Sequence, residues 1–236
     1  MADNQAGRGR AMTADDIAHQ ALELADTRGL EKLTVRSLAN RLGIGTMTLY
    51  GYFRSKEEIL DAVADLALGS LALPKAAPDE RPRDAIEAVA RAFRRLMSAH
   101  PSIVQILSSR VTTSARARRG AMEAVIDRLV TSGIPGPLAV QCYGFILIHA
   151  LGFSSYQGPR AWAQDDAEDR AELHRQQSHF YASLPIADFP RLVELREAIV
   201  ELPSEGQFAF AVESLAHLVE ARLAGSSTDG SGPLIG

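Results

Sequence analysis

The sequence predicts an all-α fold in two parts, and three observations carry the prediction. Apolar residues recur at helical spacing along nearly the whole 236-residue chain. Glycines and prolines, which end helices, fall between the periodic runs. From Thr34 to Lys56, two short periodic runs meet at Gly43, as two helices joined by a tight turn would. The stretch from Leu73 to Pro82 holds three prolines and breaks the pattern, so it reads as a boundary between a head, residues 12–72, and a body, residues 83–224. Residues 1–11 read as a disordered arm and the Gly/Ser-rich residues 225–236 as a disordered tail.

Composition narrows the class. A 46% hydrophobic content supports a sizeable core. The single cysteine, Cys142, excludes an internal disulfide and any cysteine-built zinc cage. The opening MADNQAGRGR has no apolar centre and is not expected to be a signal peptide. The longest apolar run, Leu138 to Phe153, is interrupted by Gln141, Gly144, His149 and Gly152. It falls short of the ~18 uninterrupted apolar residues of a membrane helix, so a soluble, cytoplasmic protein with no membrane partner is expected. Net charge is −4, unevenly spread: the first 56 residues carry eight basic and six acidic side chains, leaving −6 on the rest. A mildly basic head on an acidic body suits a small nucleic-acid contact surface on a body that avoids nucleic acid.

In the head, Thr13 caps a first helix with Asp15 and Asp16 in its first turn, and Asp16 completes a short capping box. Ile17, Ala21, Leu24 and Ala25 face one way, and Gly29 ends the helix. Val35, Leu38, Ala39 and Leu42 form the apolar face of the second helix, and Gly43 supplies its left-handed cap. Thr46 is expected to cap a third helix, whose Leu49 and Phe53 turn inward. Thr46, Met47, Thr48, Tyr50, Gly51 and Tyr52 are left outside, with no acidic side chain among them. That is the surface of a recognition helix entering a DNA major groove, with Arg36, Arg54 and Lys56 near for phosphates. On spacing alone, a helical pair that merely packs stays open. A fourth helix runs from Lys56 to about Leu71 and, as the continuous element between head and body, is expected to transmit motion.

In the body, Ala85 to His100 is helical by period, Pro101 stops it, and Ile103 to Leu107 form a short successor. Residues 114–132 read as one helix with Arg116, Arg118 and Arg119 on a solvated face. Leu138 to Tyr156 is hydrophobic on every side and so a buried or interface helix. Its Gly144 and Gly152 each cost about 1 kcal/mol relative to alanine, and are tolerable where another helix packs closely. Helices at 167–184, 189–201 and 205–223 follow, the last with Phe208, Val212, Leu215, Val219 and Leu223 in one stripe.

The segment LTVRSLANRLGIGTMTLYGYFRSKEEIL closely resembles the DNA-binding signature of the TetR family of bacterial transcriptional regulators. Thr34, Leu38, Ala39, Leu42, Gly43, Leu49-Tyr50, Phe53, Lys56 and the run Glu57 to Leu60 carry the match. Gly51 departs from it, standing where many relatives have a larger side chain. FAFAVESLAHLV resembles, less closely, the last helix of tetracycline-repressor-like effector domains, with Ala211 where glycine is common. The resemblance implies an N-terminal three-helix helix-turn-helix domain and a C-terminal helical bundle for ligand binding and dimerisation. It implies DNA contacts from Arg36, Thr46, Met47, Thr48, Tyr50, Tyr52 and Lys56, with Lys56 on the phosphate backbone only. It further implies a homodimer paired through residues 138–156 and 205–223, a palindromic double-stranded DNA operator, and release by a small-molecule effector.

No catalytic arrangement is found: there is no Gly-x-Ser-x-Gly elbow, phosphate-cradling glycine loop or His-Glu-x-x-His. Neither an enzyme nor a cofactor or metal site is expected. His174 and His179, five apart on a helix, are expected on different faces. His149 reads either as a core histidine bonded to a carbonyl or as the polar contact of a cavity walled by Phe145, Phe153 and Trp162. Such a cavity suits a mostly apolar small molecule with one or two hydrogen-bonding groups. A constitutive DNA-binding protein whose body only dimerises is the alternative.

Overall fold

The computed structural model describes residues 12–110, 114–157 and 167–228, and every regular element in them is helical. The head begins with α1, Ala14–Arg28. The Thr13 hydroxyl accepts from the Asp16 N–H at 3.1 Å, and the Thr13 N–H donates to the Asp16 carboxylate at 2.8 Å, which closes the expected capping box. A 3-10 turn, Leu30–Lys32, leads into α2, Val35–Leu42, whose cap is a second reciprocal pair between Thr34 and Ser37. Then come α3, Thr46–Tyr50, and α4, Lys56–Gly69, capped by Ser55. Ile17, Ala21, Leu38, Ala39, Leu49, Phe53, Ile59 and Val63 bury the facing sides of these four helices.

The body comprises α5 (Pro82–Ala99), α6 (Pro101–Ser109), α7 (Ala115–Ala117), α8 (Ala124–Thr131), α9 (Gly136–Gln157), α10 (Ala167–Ala182), α11 (Pro190–Glu194), α12 (Arg196–Val200) and α13 (Glu205–Thr228). Pro101 does more than stop α5: lacking an N–H that the first turn would leave unpaired anyway, it starts α6. The single helix expected over 114–132 is interrupted by a π-helical turn, Arg118–Glu123. The helix expected over 189–201 is broken at Leu195, which leaves helical dihedrals (φ −99°, ψ 14°). The last helix continues to Thr228, past the expected start of the tail at 225, while residues 229–236 and the arm at 1–11 lie outside the described residues. At 22 residues α9 is long and apolar enough to cross a bilayer, yet it packs on α5, α6, α8 and α13, with Ala139, Cys142, Ile146, Ala150 and Phe153 buried.

Head and body share one apolar core, because α4 packs against α1 on one side and against α6, α7 and the π turn on the other. The boundary stretch after α4 is held in place rather than free. Arg128 on α8 reaches it with its side chain only 8% exposed, pairs with Glu80 (10%), and donates to the Pro74 carbonyl. Burying two charges is tolerable only where each is paired and hydrogen-bonded, as here. Arg128→Ala strands the Glu80 carboxylate and is expected to lower unfolding free energy by about 3–5 kcal/mol, measured by urea titration at fixed protein concentration. The Glu80→Leu/Arg128→Met pair, which leaves no orphan charge, is expected to lose far less.

Candidate nucleic-acid interface

The five residues of α3 are too few to hold a helix by themselves. Its direction is set by one anchor, Leu49, the buried residue of α3, which sits with Leu38, Ala39 and Phe53. The turn before it depends on Gly43, whose φ of +67° lies where a side chain is strained, and whose N–H returns to the Ala39 and Asn40 carbonyls. Thr46 does not cap α3: the N-cap is Gly45, with no side-chain hydrogen bond, and the Gly45 carbonyl takes the Thr48 and Leu49 N–H groups at 3.0 and 3.2 Å. The Thr46 side chain is thereby left facing out.

The outer face is as the spacing predicts. Met47 is 81% exposed, and Thr46, Thr48 and Tyr50 are exposed beside it with no acidic neighbour on the helix. Tyr52 is different, since its hydroxyl donates to the Met12 carbonyl at 3.1 Å and so ties the end of α3 to the start of α1. Gly51 has ordinary helical dihedrals, and a Cβ there would sit 3.1 Å from the Thr48 carbonyl oxygen, so the missing side chain removes a contact without freeing the backbone. Arg41 is spent on α1, with Glu23 at 2.6 Å and Gln20 at 2.9 Å. Arg36 and Lys56 have no ion pair among the described residues and stay available to an anion. Hydrogen bonds from backbone and Ser55 hold the Glu57 carboxyl below its usual range, placing a fixed negative charge beside Lys56.

Besides α4, side chains on α1 also tie this face to the body. At one end of α1, Asp26 accepts from His100 Nδ1 at 2.7 Å and from the Ser102 hydroxyl and N–H at 2.6 and 3.1 Å. At the other end, Asp15 pairs with Arg116 at 2.6 Å. Arg110 bridges the end of α6 to Asp61 on α4 at 2.8 Å. Arg116 thus ties the seam while staying exposed with Arg118 and Arg119, as the spacing predicts.

Of the residues expected around a cavity, the structure brings Phe145, His149 and Phe153 together along α9, while Trp162 lies outside the described residues. They form an aromatic column closed by a residue not singled out for it, Phe208 of α13, whose ring centroid is 5.1 Å from that of His149 and 5.3 Å from that of Phe153. The Arg94 guanidinium lies 5.0 Å from the Phe153 ring and pairs with Glu205, which with Gln157, His174, Val200, Glu201, Pro203 and Ser204 lines a neighbouring cleft of about 350 Å³. Among the described residues His149 makes no bond to a carbonyl, its buried Nε2 has no partner, and burial pushes the imidazole pKa down. Burial likewise pushes the Cys142 thiol up, as suits a packing role. His174 and His179 both border one open cleft, and His174 pairs with Glu201 at 3.1 Å. No group of three or more metal-ligating side chains occurs among the described residues.

A short, singly anchored helix with an acid-free outer face, mounted on a helical body, defines the helix-turn-helix class of DNA-binding proteins. Residues 11–63 match the bacterial regulatory proteins of the tetR family, and residues 73–221 match the tetracyclin repressor-like C-terminal domain. The chain belongs to the TetR family. It is 33% identical over 162 residues to the HTH-type transcriptional repressor DrrR1 of Streptomyces coeruleorubidus, covering 69% of this chain and 58% of that one. It is 31% identical over 147 residues to the HTH-type transcriptional repressor Rv1353c of Mycobacterium tuberculosis, covering 60% and 56%. The matches thus span somewhat over half the length of these curated relatives. Among solved structures, ActR of Streptomyces coelicolor in complex with actinorhodin superposes with a TM-score of 0.75 at 27% identity, covering 90% of this chain and 98% of that chain.

Two measurements check these assignments. Lys56→Ala is expected to weaken binding to all duplexes alike and to lower the slope of log affinity against log salt by about one. Tyr52→Phe, which deletes only the hydroxyl on Met12, is expected to leave base preference unchanged. For His149, the unfolded chain takes up a proton below about pH 6.5 that the folded chain resists, so this contribution to stability falls as the solution is acidified. His149→Phe keeps the stack and removes the orphan nitrogen. It is expected to raise stability by about 1 kcal/mol and to flatten the loss between roughly pH 7 and 5.5, read from thermal melts. Identical pH profiles in the two proteins would exclude His149 as the cause.

Proposed function

We propose that the chain is a cytoplasmic, ligand-responsive transcriptional repressor that works as a homodimer on a palindromic operator and leaves it when a small molecule fills the body. The exposed face of α3 carries the first half of this reading. Thr46, Met47 and Thr48 meet base edges in the major groove, while Arg36, Tyr50 and Lys56 hold phosphate. Tyr52 acts beside them by fastening the start of α1 to the recognition helix.

The pairing half rests on α9 and α13, which pack on each other and leave a common apolar side open: Ile148 is 71% exposed and Phe210 64% exposed, with Val140, Phe145, Tyr156 and Leu218 around them. A Cβ at Gly144 or Gly152 would meet nothing within 4 Å, so their small size serves no neighbour within one copy. A second copy laid on this side supplies the neighbour, and two heads then read the two half-sites that one head is too small to specify. Support for an effector comes from ActR, solved with actinorhodin and with (S)-DNPA. The proposed wall is Phe145, His149 and Phe153, with the His149 nitrogen as the polar contact. The closed stack against Phe208 favours one competing reading, a body that only dimerises.

The test starts from duplexes selected out of a random library by the purified chain. An inverted repeat bound by a dimeric mass in light scattering is expected. A monomeric mass with and without DNA, or a selected site lacking two-fold symmetry, overturns the pairing. Actinorhodin is the first probe for release, followed by other aromatic compounds. A releasing compound whose effect is unchanged in both His149→Ala and Phe153→Ala places the pocket elsewhere.

A further inference from the structure

We infer that Gly120, some seventy residues beyond the recognition helix, is a positioning residue for DNA reading: its backbone sets where the far end of α4 lies and so how far apart two heads stand. This inference rests on the dimeric reading above. Three features meet at this point. The first is the π turn Arg118–Glu123, which holds one more residue per turn than the α-helix predicted there and bulges the backbone outward. Such turns are uncommon, and they persist where surrounding contacts hold them.

The second feature is what the bulge touches. A Cβ built on Gly120 would lie 2.7 Å from Gly69 Cα, 2.8 Å from the Leu68 carbonyl oxygen and 2.9 Å from that of Gly69. All three are backbone atoms of the last turns of α4 and cannot rotate aside. Carbon atoms pack at about 3.5–4 Å, so any side chain here must drive the two backbones apart by about 1 Å. The reverse substitution is not equivalent. The three atoms nearest a Cβ on Gly69 all belong to the Arg116 side chain, Cγ at 2.6 Å, Nε at 2.9 Å and Cδ at 3.1 Å, and a side chain can adjust where backbone cannot.

The third feature is the arrangement around the contact. Arg116, just before the π turn, pairs with Asp15, so the segment carrying Gly120 touches both α1 and α4. On its body side Ala117, Ala121, Val125 and Leu129 are buried, which fixes the turn to α8. Beside it an open cleft of about 460 Å³, lined by Gly69, Ala115, Arg116, Arg119 and Gly120, leaves room for movement. The 14 residues of α4 span about 21 Å, with Lys56 at one end and Gly69 at the other. A 1 Å shift at Gly69 therefore moves the head by a similar distance, and a two-fold axis doubles it. Half-sites lie about 34–36 Å apart per helical turn, so such a change alters which spacing fits.

The experiment measures affinity on duplexes carrying the selected half-site as an inverted repeat, with the spacer changed one base pair at a time. The wild-type chain is expected to show one optimum. Gly120→Ala is expected to lose at least tenfold on that spacer, less on a neighbouring one, and nothing on a single half-site, with dimer mass unchanged. Gly69→Ala, which presses on the Arg116 side chain and not on backbone, is expected to keep the wild-type spacer optimum with a smaller loss than Gly120→Ala. If Gly120→Ala does not fold, deletion of the exposed Arg119, which removes the extra residue of the π turn, makes the same comparison. A folded variant with the wild-type profile, or with a uniform loss that includes the half-site, overturns the inference while the dimeric reading stands. A wild-type chain indifferent to spacing overturns both.

Discussion

A helix of five residues has no stability of its own, and the rest of the molecule follows from that constraint. Forming a first helical turn fixes several residues for one hydrogen bond, so α3 exists only because Leu49 is buried and Gly43 aims the chain. Two reciprocal caps, Thr13 with Asp16 and Thr34 with Ser37, hold the ends of the helices that receive Leu49. The outer face is then free to be chosen for what it meets. Threonine, methionine and tyrosine can occupy it because no packing demand falls on them.

The same logic applies one level up. A four-helix head of this size buries too little apolar surface to be indifferent to its mounting, and here it shares its core with the body through α1 and α4. Apolar contact gives that seam its strength but not its register, since burial is non-directional. Register comes from the polar ties at both ends of α1, from the bridge between Arg110 and Asp61 of α4, and from the backbone-to-backbone approach of Gly120. Of these the glycine contact tolerates least change, because backbone cannot adopt another rotamer.

In the body, α9 serves two surfaces at once. Ala139, Ile146 and Ala150 complete the core, while Ile148 and Val140 on the opposite side remain exposed in a single copy. His149 stands between these faces with aromatic rings around it and, among the described residues, no partner for its Nε2. A buried polar atom left unpaired costs free energy, and the surrounding rings offer it no acceptor or donor.

Much of the fold was legible in the sequence because local chemistry decides it. Helical period, the Thr13 cap, the Gly43 turn and the inward Leu49 depend on residues within one or two turns of each other, and each is found where the spacing put it. The outward set from Thr46 to Tyr50 was legible for the same reason. What the sequence could not decide was anything set by a partner far away in the chain. Tyr52 looked like its neighbours until Met12 took its hydroxyl, and nothing in the sequence told that the exposed Arg116 would pair with Asp15. The π turn left no trace in the apolar spacing, and the backbone it lies against is some fifty residues upstream in the last turn of α4. A glycine reads the same whether it ends a helix, weakens one, or lets two backbones touch. At Gly120, only the tertiary structure distinguishes these roles, since the atoms that exclude a side chain belong to another helix.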